Sequence, residues 1–217
     1  IGRALMNRNN LGQKLIEQSF SSRNLLLLSQ VHGKDVVVIT KKEQIHGEQN
    51  LPKADAIVTN LPNLAIGVVT ADCSPILLFD REKKVIAAIH AGWRGAKLGV
   101  VEEAIEQMKN LGAKNIVAII GPMIQQESYE VSVDFFADFV AEDVANETFF
   151  AKGDAFEKYL FDLGAYVESK LQKSGVAELK NVKIDTYKNE EDFFSFRRVT
   201  HRGETDCGRN ISVIEII

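Results

Sequence analysis

The sequence predicts an α+β fold, a single domain of mixed β-sheets packed with helices, and three observations carry that prediction. Short, near-continuous apolar runs crowd the first half, which is the texture of strands buried on both faces. Helical periodicity begins only near Ala96 and then alternates with further short apolar runs. The chain has 217 residues and is 45% hydrophobic, enough for one core, with no repeat, low-complexity tract or linker to divide it.

Residues 25–31 and 35–40 flank the turn His32-Gly33-Lys34 and read as a hairpin. Strands at 55–59 and 64–70 are separated by the turn signal Asn60-Leu61-Pro62-Asn63, and strands at 75–79 and 84–89 surround Asp80-Arg81-Glu82-Lys83. The first helix starts near Ala96, with Leu98, Val101, Ile105 and Met108 at helical spacing and Gly112 as its stop. A buried strand at 115–120 ends at Gly121-Pro122. Residues 132 to about 145 and 154–173 read as helices, the second with Phe156, Leu160, Leu163, Val167 and Leu171 on one stripe. Final strands are expected at 181–184, 193–196 and 211–217.

A net charge of -4 and a pI near 5.7 exclude a global cationic field that would draw the chain to nucleic acid or an anionic membrane. A local basic pocket for phosphate stays open. Two cysteines, Cys73 and Cys207, are too few for a disulfide framework and suggest a reducing, cytoplasmic setting. No apolar run reaches the roughly 18–20 residues that span a bilayer. The opening Ile1-Gly2-Arg3-Ala4-Leu5-Met6 lacks the apolar core of a secretory signal. Ile1 is not a native start residue, so a native N-terminal segment is expected upstream.

Three apolar strands run into candidate ligands: Val31-His32-Gly33, Ala71-Asp72-Cys73 and Ile89-His90-Ala91. Two imidazoles and a thiolate suit zinc, and three protein ligands leave a fourth position for water or substrate. Zinc lowers the pKa of a bound water to about 7. Copper suits the same donors. Asp72 reads either as a turn cap or as a carboxylate that orients a ligand or moves a proton. Arg94, between the glycines of Gly92-Trp93-Arg94-Gly95, is the candidate anion contact, while Trp93 reads as packing. His46 and His201 lie in polar loops and read as solvated. A second reading of the same residues makes Cys73 and His90 a thiolate–imidazole pair, helped by Asp72 or Gln30, in a nucleophilic hydrolase or amidase.

Gln30-Val31-His32-Gly33, Ala54-Asp55-Ala56, Thr70-Ala71-Asp72-Cys73-Ser74-Pro75, His90-Ala91-Gly92-Trp93-Arg94-Gly95, Gly121-Pro122 with Tyr129-Glu130-Val131, and Phe193-Phe194-Ser195-Phe196-Arg197-Arg198 occur in one order. In that order they resemble the YfiH-type family, also labelled laccase-domain or multicopper polyphenol oxidase-like proteins. The resemblance covers nearly the whole chain. It implies a zinc-dependent purine nucleoside phosphorylase acting on adenosine, inosine and methylthioadenosine, with adenosine deaminase activity. It also implies metal ligands at His32, Cys73 and His90, and a fold like that of cytotoxic-necrotizing-factor deamidases. The implied partners are purine nucleosides and phosphate, with Arg94 first and Arg197, Arg198 and Arg209 next as phosphate or substrate contacts. Some bacterial relatives are linked to peptidoglycan editing. The residues depart from the family pattern in a missing N-terminal Thr-Arg, in Asp185 beside Thr186-Tyr187, in Gln125-Gln126, and in Cys207-Gly208-Arg209. A copper phenol-oxidase role fits poorly, since four histidines are too few for histidine-rich copper centres. Oligomeric state does not follow from the residues.

Overall fold

The computed structural model describes residues 4–5, 25–45 and 51–217; His46 lies outside them. A six-stranded sheet forms the middle layer, built from β3 (Val36–Ile39), β4 (Ala56–Thr59), β6 (Ser74–Asp80), β7 (Val85–Ala91), β8 (Val117–Ile120) and β12 (Glu178–Asn181). Their spatial order is β12-β8-β6-β7-β4-β3. The outer pairs β12–β8 and β4–β3 are parallel and the inner pairs antiparallel, so the sheet is mixed. A four-stranded mixed sheet combines β1 (Ala4–Leu5), β13 (Asn210–Glu215), β5 (Ala65–Thr70) and β2 (Leu25–Leu26) in that order. A small antiparallel sheet orders β10 (Phe150–Lys152), β11 (Lys158–Phe161) and β9 (Glu130–Ser132).

Strand alternation explains the layering. On β4, β6 and β7, Ala56, Val58, Ile76, Leu78, Ala87 and Ile89 enter the core beneath the helices. Ile57, Leu77, Ile86 and Ala88 enter a second core against Leu26, Ile66, Val68 and Ile216. The central strands are buried on both faces, as their unbroken apolar runs predict. The helical layer comprises α1 (Trp93–Leu98), α2 (Val100–Asn110), α3 (Val133–Glu142), α4 (Leu163–Lys173) and α5 (Phe196–Arg202). Val101, Ile105 and Met108 of α2 and Tyr166, Val167 and Leu171 of α4 pack on the sheet. Phe135, Phe139, Phe150 and Phe161 form an aromatic cluster between α3 and the small sheet, joined by Trp93 at 5.0 Å from Phe135. No helix among the described residues is long and apolar enough to cross a membrane.

Several expected elements differ. The hairpin about residues 32–34 does not form: β2 pairs with β5 and β3 with β4, each in parallel, in different sheets. Backbone N–H groups of the intended turn are taken by Asp55 instead. The 60–63 turn likewise carries the chain from one sheet to the other, with Asn63 at φ 59°. The helix expected from Ala96 is two helices, broken where Gly99 adopts φ 97°, and Leu98 turns outward, half exposed. Residues 154–161 contain β11 rather than a helical turn; Gly153 N–H bonds Lys158 O, and Glu157 sits at φ 59°. The expected strand at 193–196 is instead a cap and helix start, with Ser195 Oγ accepting from Arg198 N at 3.2 Å. The strand expected at 181–184 lies earlier, at Glu178–Asn181.

Candidate metal centre

The centre is assembled at one end of the six-stranded sheet. Register pairs Pro75 with His90 and Ser74 with Ala91, so Cys73, one residue before β6, lies beside the end of β7. Cys73 and His90 share the alternation of Leu77 and Ala88, hence one sheet face. His32 arrives from the loop between β2 and β3. The three side chains place one potential ligand atom each within 4.8 Å of one another. Cys73 Sγ stands 3.8 Å from His32 Nε2, and the two imidazoles meet edge to face with centroids 4.7 Å apart.

Asp55, fully buried just before β4, organises two of these three residues. Its Oδ1 lies 2.8 Å from His90 Nδ1 and accepts from His32 N at 2.9 Å. Its Oδ2 accepts from Val31 N at 3.2 Å and Gly33 N at 2.7 Å. Three successive N–H groups thus converge on one carboxylate, an anion-binding nest whose middle residue, His32, has φ 58°. A buried carboxylate costs several kcal/mol unless paired; charge-assisted bonds from the loop and the imidazole offset that cost here. The backbone adds a further tie, His90 N to Asp55 O at 2.8 Å.

Small residues let the pieces close. A Cβ on Gly92 would stand 2.9 Å from Cys73 Sγ and 3.0 Å from His32 Cδ2, so glycine lets the cysteine sulfur and the His32 ring close on the chain just before α1. A Cβ on Gly95 would meet Gly33 O at 2.9 Å, which lets α1 press on the His32 loop. The donor set suits a zinc or copper ion.

Electrostatics favour a thiolate. Burial alone would raise the Cys73 pKa, but hydrogen bonding to His32 and His90 and their charge hold it at about 7. Burial would depress His90, yet Asp55 and Cys73 raise it to about 9. Asp55, despite burial, is held below its ordinary value by the His90 hydrogen bond and the Gly33 N–H.

The remaining expected site residues lie outside this cluster of three. Asp72 neighbours Cys73 at φ 85°, but its carboxylate accepts from Thr186 Oγ1 at 2.7 Å, Ser195 Oγ at 2.9 Å and Arg197 N at 2.6 Å. Gln30 gives its whole amide to Val69, Nε2 to O at 2.7 Å and Oε1 from N at 2.8 Å, extending the β2–β5 pairing with a side chain. Arg94 is exposed on α1 and makes no hydrogen bond or ion pair among the described residues. Arg197 lies over the Tyr129 ring, 5.2 Å from its centroid, and bonds Glu130 O. Arg198 binds the carbonyls of Thr186, Tyr187 and Phe193. Arg209 is exposed and reaches the carbonyls of Cys207 and Gly208. His201 is exposed and bonds Tyr187 Oη at 3.0 Å. Asp185, one of the departures from the family pattern, accepts from Ser128 Oγ and Tyr187 N, joining two loops.

Asp55 escapes a reading of the sequence that looks for ligands at strand ends. The signal it leaves is a carboxylate between two alanines at the mouth of an apolar strand, where a charge must find partners. Gly92 leaves none beyond its place beside His90. Tyr129 is a further residue at the site's edge: burial, followed by the nearby Cys73, pushes its hydroxyl well above the usual range, with Arg197 opposing.

Fold and donor set together define a laccase-like protein of the YfiH type. Residues 4–217 match the family described as multi-copper polyphenol oxidoreductase laccase, and the chain belongs to it. Purine nucleoside phosphorylase RC0672 of Rickettsia conorii is 38% identical over 192 residues, 88% of this chain and 78% of that protein. Purine nucleoside phosphorylase YfiH of Escherichia coli is also 38% identical over 192 residues, 88% of this chain and 73% of its own length. The crystal structure of Neisseria meningitidis protein NMB0706 superposes with a TM-score of 0.80 at 29% identity, covering 100% of this chain and 90% of that one.

Proposed function

We propose that this chain is a zinc-dependent purine nucleoside phosphorylase acting on adenosine, inosine and methylthioadenosine, with adenosine deaminase activity. The observation that carries the reading is the convergence of His32, Cys73 and His90 in a chain 38% identical to proteins named purine nucleoside phosphorylase. His32, Cys73 and His90 would hold the ion, which when bound supplies a Lewis acid for polarising a substrate oxygen or activating water.

The chain's own residues supply the rest. In phosphorolysis a phosphate oxygen bonds to ribose C1′ as the C1′–N9 bond breaks, and the base leaves with the electron pair and takes up a proton. Arg94, exposed and without a protein partner among the described residues, is assigned to phosphate. Arg197, next to Asp72 through its N–H and stacked on Tyr129, is assigned to the substrate's edge and to charge developing at the ribose. Arg198 and Arg209, with their guanidinium groups on backbone carbonyls, are assigned as further substrate contacts. Asp72 is assigned to proton handling in the deaminase mode, with its carboxylate held in place by Thr186 Oγ1, Ser195 Oγ and Arg197 N. Gln30, bound to Val69, is assigned to holding the strand that delivers His32.

The test supplies zinc-loaded protein with adenosine, inosine or methylthioadenosine and follows base release with and without phosphate. Absence of phosphate-dependent release sinks the phosphorylase reading. The low thiol pKa of Cys73 beside two imidazoles favours one rival, a Cys–His hydrolase. Protein purified without chelator is expected to carry about one zinc per chain, lost with activity in Cys73→Ala. Zinc retained in an inactive Cys73→Ala protein makes the thiol a nucleophile instead.

A further inference from the structure

We infer that Asp55 is the positioning residue of the metal centre: it selects Nε2 of His90 as the ligating nitrogen and fixes the His32 loop against it. The inference rests on His32, Cys73 and His90 holding a metal, as proposed above, and adds a role for a residue that supplies no ligand atom.

Saturation of the carboxylate carries the argument. A carboxylate offers about four lone-pair directions. Asp55 has four contacts, His32 N and His90 Nδ1 on Oδ1, Val31 N and Gly33 N on Oδ2. Three are backbone N–H groups, which only donate and so favour the carboxylate over the carboxylic acid, which leaves the proton of the fourth contact on the imidazole. The imidazole therefore donates from Nδ1 to Asp55, which leaves Nε2, the nitrogen not engaged by the carboxylate, as the one that can ligate. The two oxygens also divide the labour: Oδ1 bridges His32 N to His90 Nδ1 directly, while Oδ2 clamps the residues either side of His32. One buried side chain thereby sets a ring tautomer on β7 and the path of a loop 22–24 residues upstream. A carboxylate behind a ligating histidine raises ligand basicity and removes the entropy of ring rotation before binding. Asp72, although adjacent to the cysteine, cannot do this, because its oxygens are held by Thr186, Ser195 and Arg197.

Two measurements test the assignment. Zinc affinity, measured by competition with a chromophoric chelator, is expected to fall about 10–100-fold in Asp55→Asn while the wild type binds stoichiometrically. In wild-type protein loaded with cadmium-113, nitrogen-detected NMR is expected to show metal coupling to His90 Nε2 and a protonated Nδ1, whatever the fate of the variant. Coupling to His90 Nδ1, or unchanged zinc affinity in a folded Asp55→Asn protein, overturns the inference. A wild type that binds neither metal overturns the metal reading on which it rests. Equal loss in Asp72→Asn, a carboxylate with no contact to a histidine, would make the effect general rather than Asp55's own and also overturn it.

Discussion

Gly92 and Cys73 approach so closely that a Cβ at position 92 would lie 2.9 Å from the cysteine sulfur. Gly92 has φ -70°, which any residue adopts, so space and not backbone conformation demands glycine here. Gly92→Ala should still fold yet bind zinc at least tenfold more weakly, because the added methyl must displace the Cys73 sulfur and the His32 ring from their positions. Metal titration beside thermal unfolding checks it; full affinity in the alanine variant would show that the centre can relax around a methyl.

Cys73 should be unusually reactive once metal is removed. With its pKa held at about 7, the thiolate fraction rises through neutrality rather than through the higher range of a free thiol. In a Cys207→Ser background, alkylation of chelator-treated protein should climb with pH to a midpoint near 7, and zinc should suppress it. The background is chosen because burial pushes the Cys207 thiol upward, away from this window.

Arg94 and Arg198 should separate function from structure. Arg94 has no protein partner among the described residues, so Arg94→Ala should leave unfolding unchanged while cutting phosphate-dependent turnover at least tenfold, mainly through phosphate KM. Arg198 satisfies three backbone carbonyls, and its removal should destabilise by about 1–3 kcal/mol. Steady-state kinetics with phosphate varied, run beside chemical denaturation, distinguish the two.

Far from the centre, Asp80 is a structural fastener. Buried at the end of β6, it accepts from Glu82, Lys83, Lys114 and Asn115 N–H groups, joining the β6–β7 turn to the approach to β8. Burial would raise its pKa, but those four donors lower it below 3.8. A depressed carboxyl contributes stability that is complete above the unfolded-state value and disappears as pH falls through the folded one. Asp80→Asn should therefore cost about 1–3 kcal/mol at pH 7 and lose less stability than the wild type on acidification below pH 4. Denaturation curves at both pH values supply the comparison.

The convergence of His32, Cys73 and His90 is legible for Cys73 and His90, which stand at adjoining strand ends, while His32 reaches them from a loop. Apolar continuity likewise revealed which strands are buried on both faces. Long-range partners were not legible. The 32–34 turn resembles a hairpin locally, but Asp55 claims its N–H groups and parts the flanking strands into separate sheets. Phe156 and Leu160 fall on a helical stripe by spacing alone, whereas Phe156 is 89% exposed and Leu160 belongs to β11. Asp72 sits beside Cys73 in sequence, yet its oxygens accept from Thr186, Ser195 and Arg197, long-range partners that adjacency in the chain does not reveal.

Trp93 is the single tryptophan of the chain, one residue beyond Gly92 and set edge-on to Phe135. Its emission consequently comes from one spot, against Phe135 and Phe139 where α1 meets α3, with no second indole to dilute it. The protein carries its own optical gauge of that packing, through which unfolding of the aromatic cluster can be timed by stopped flow without attaching a dye.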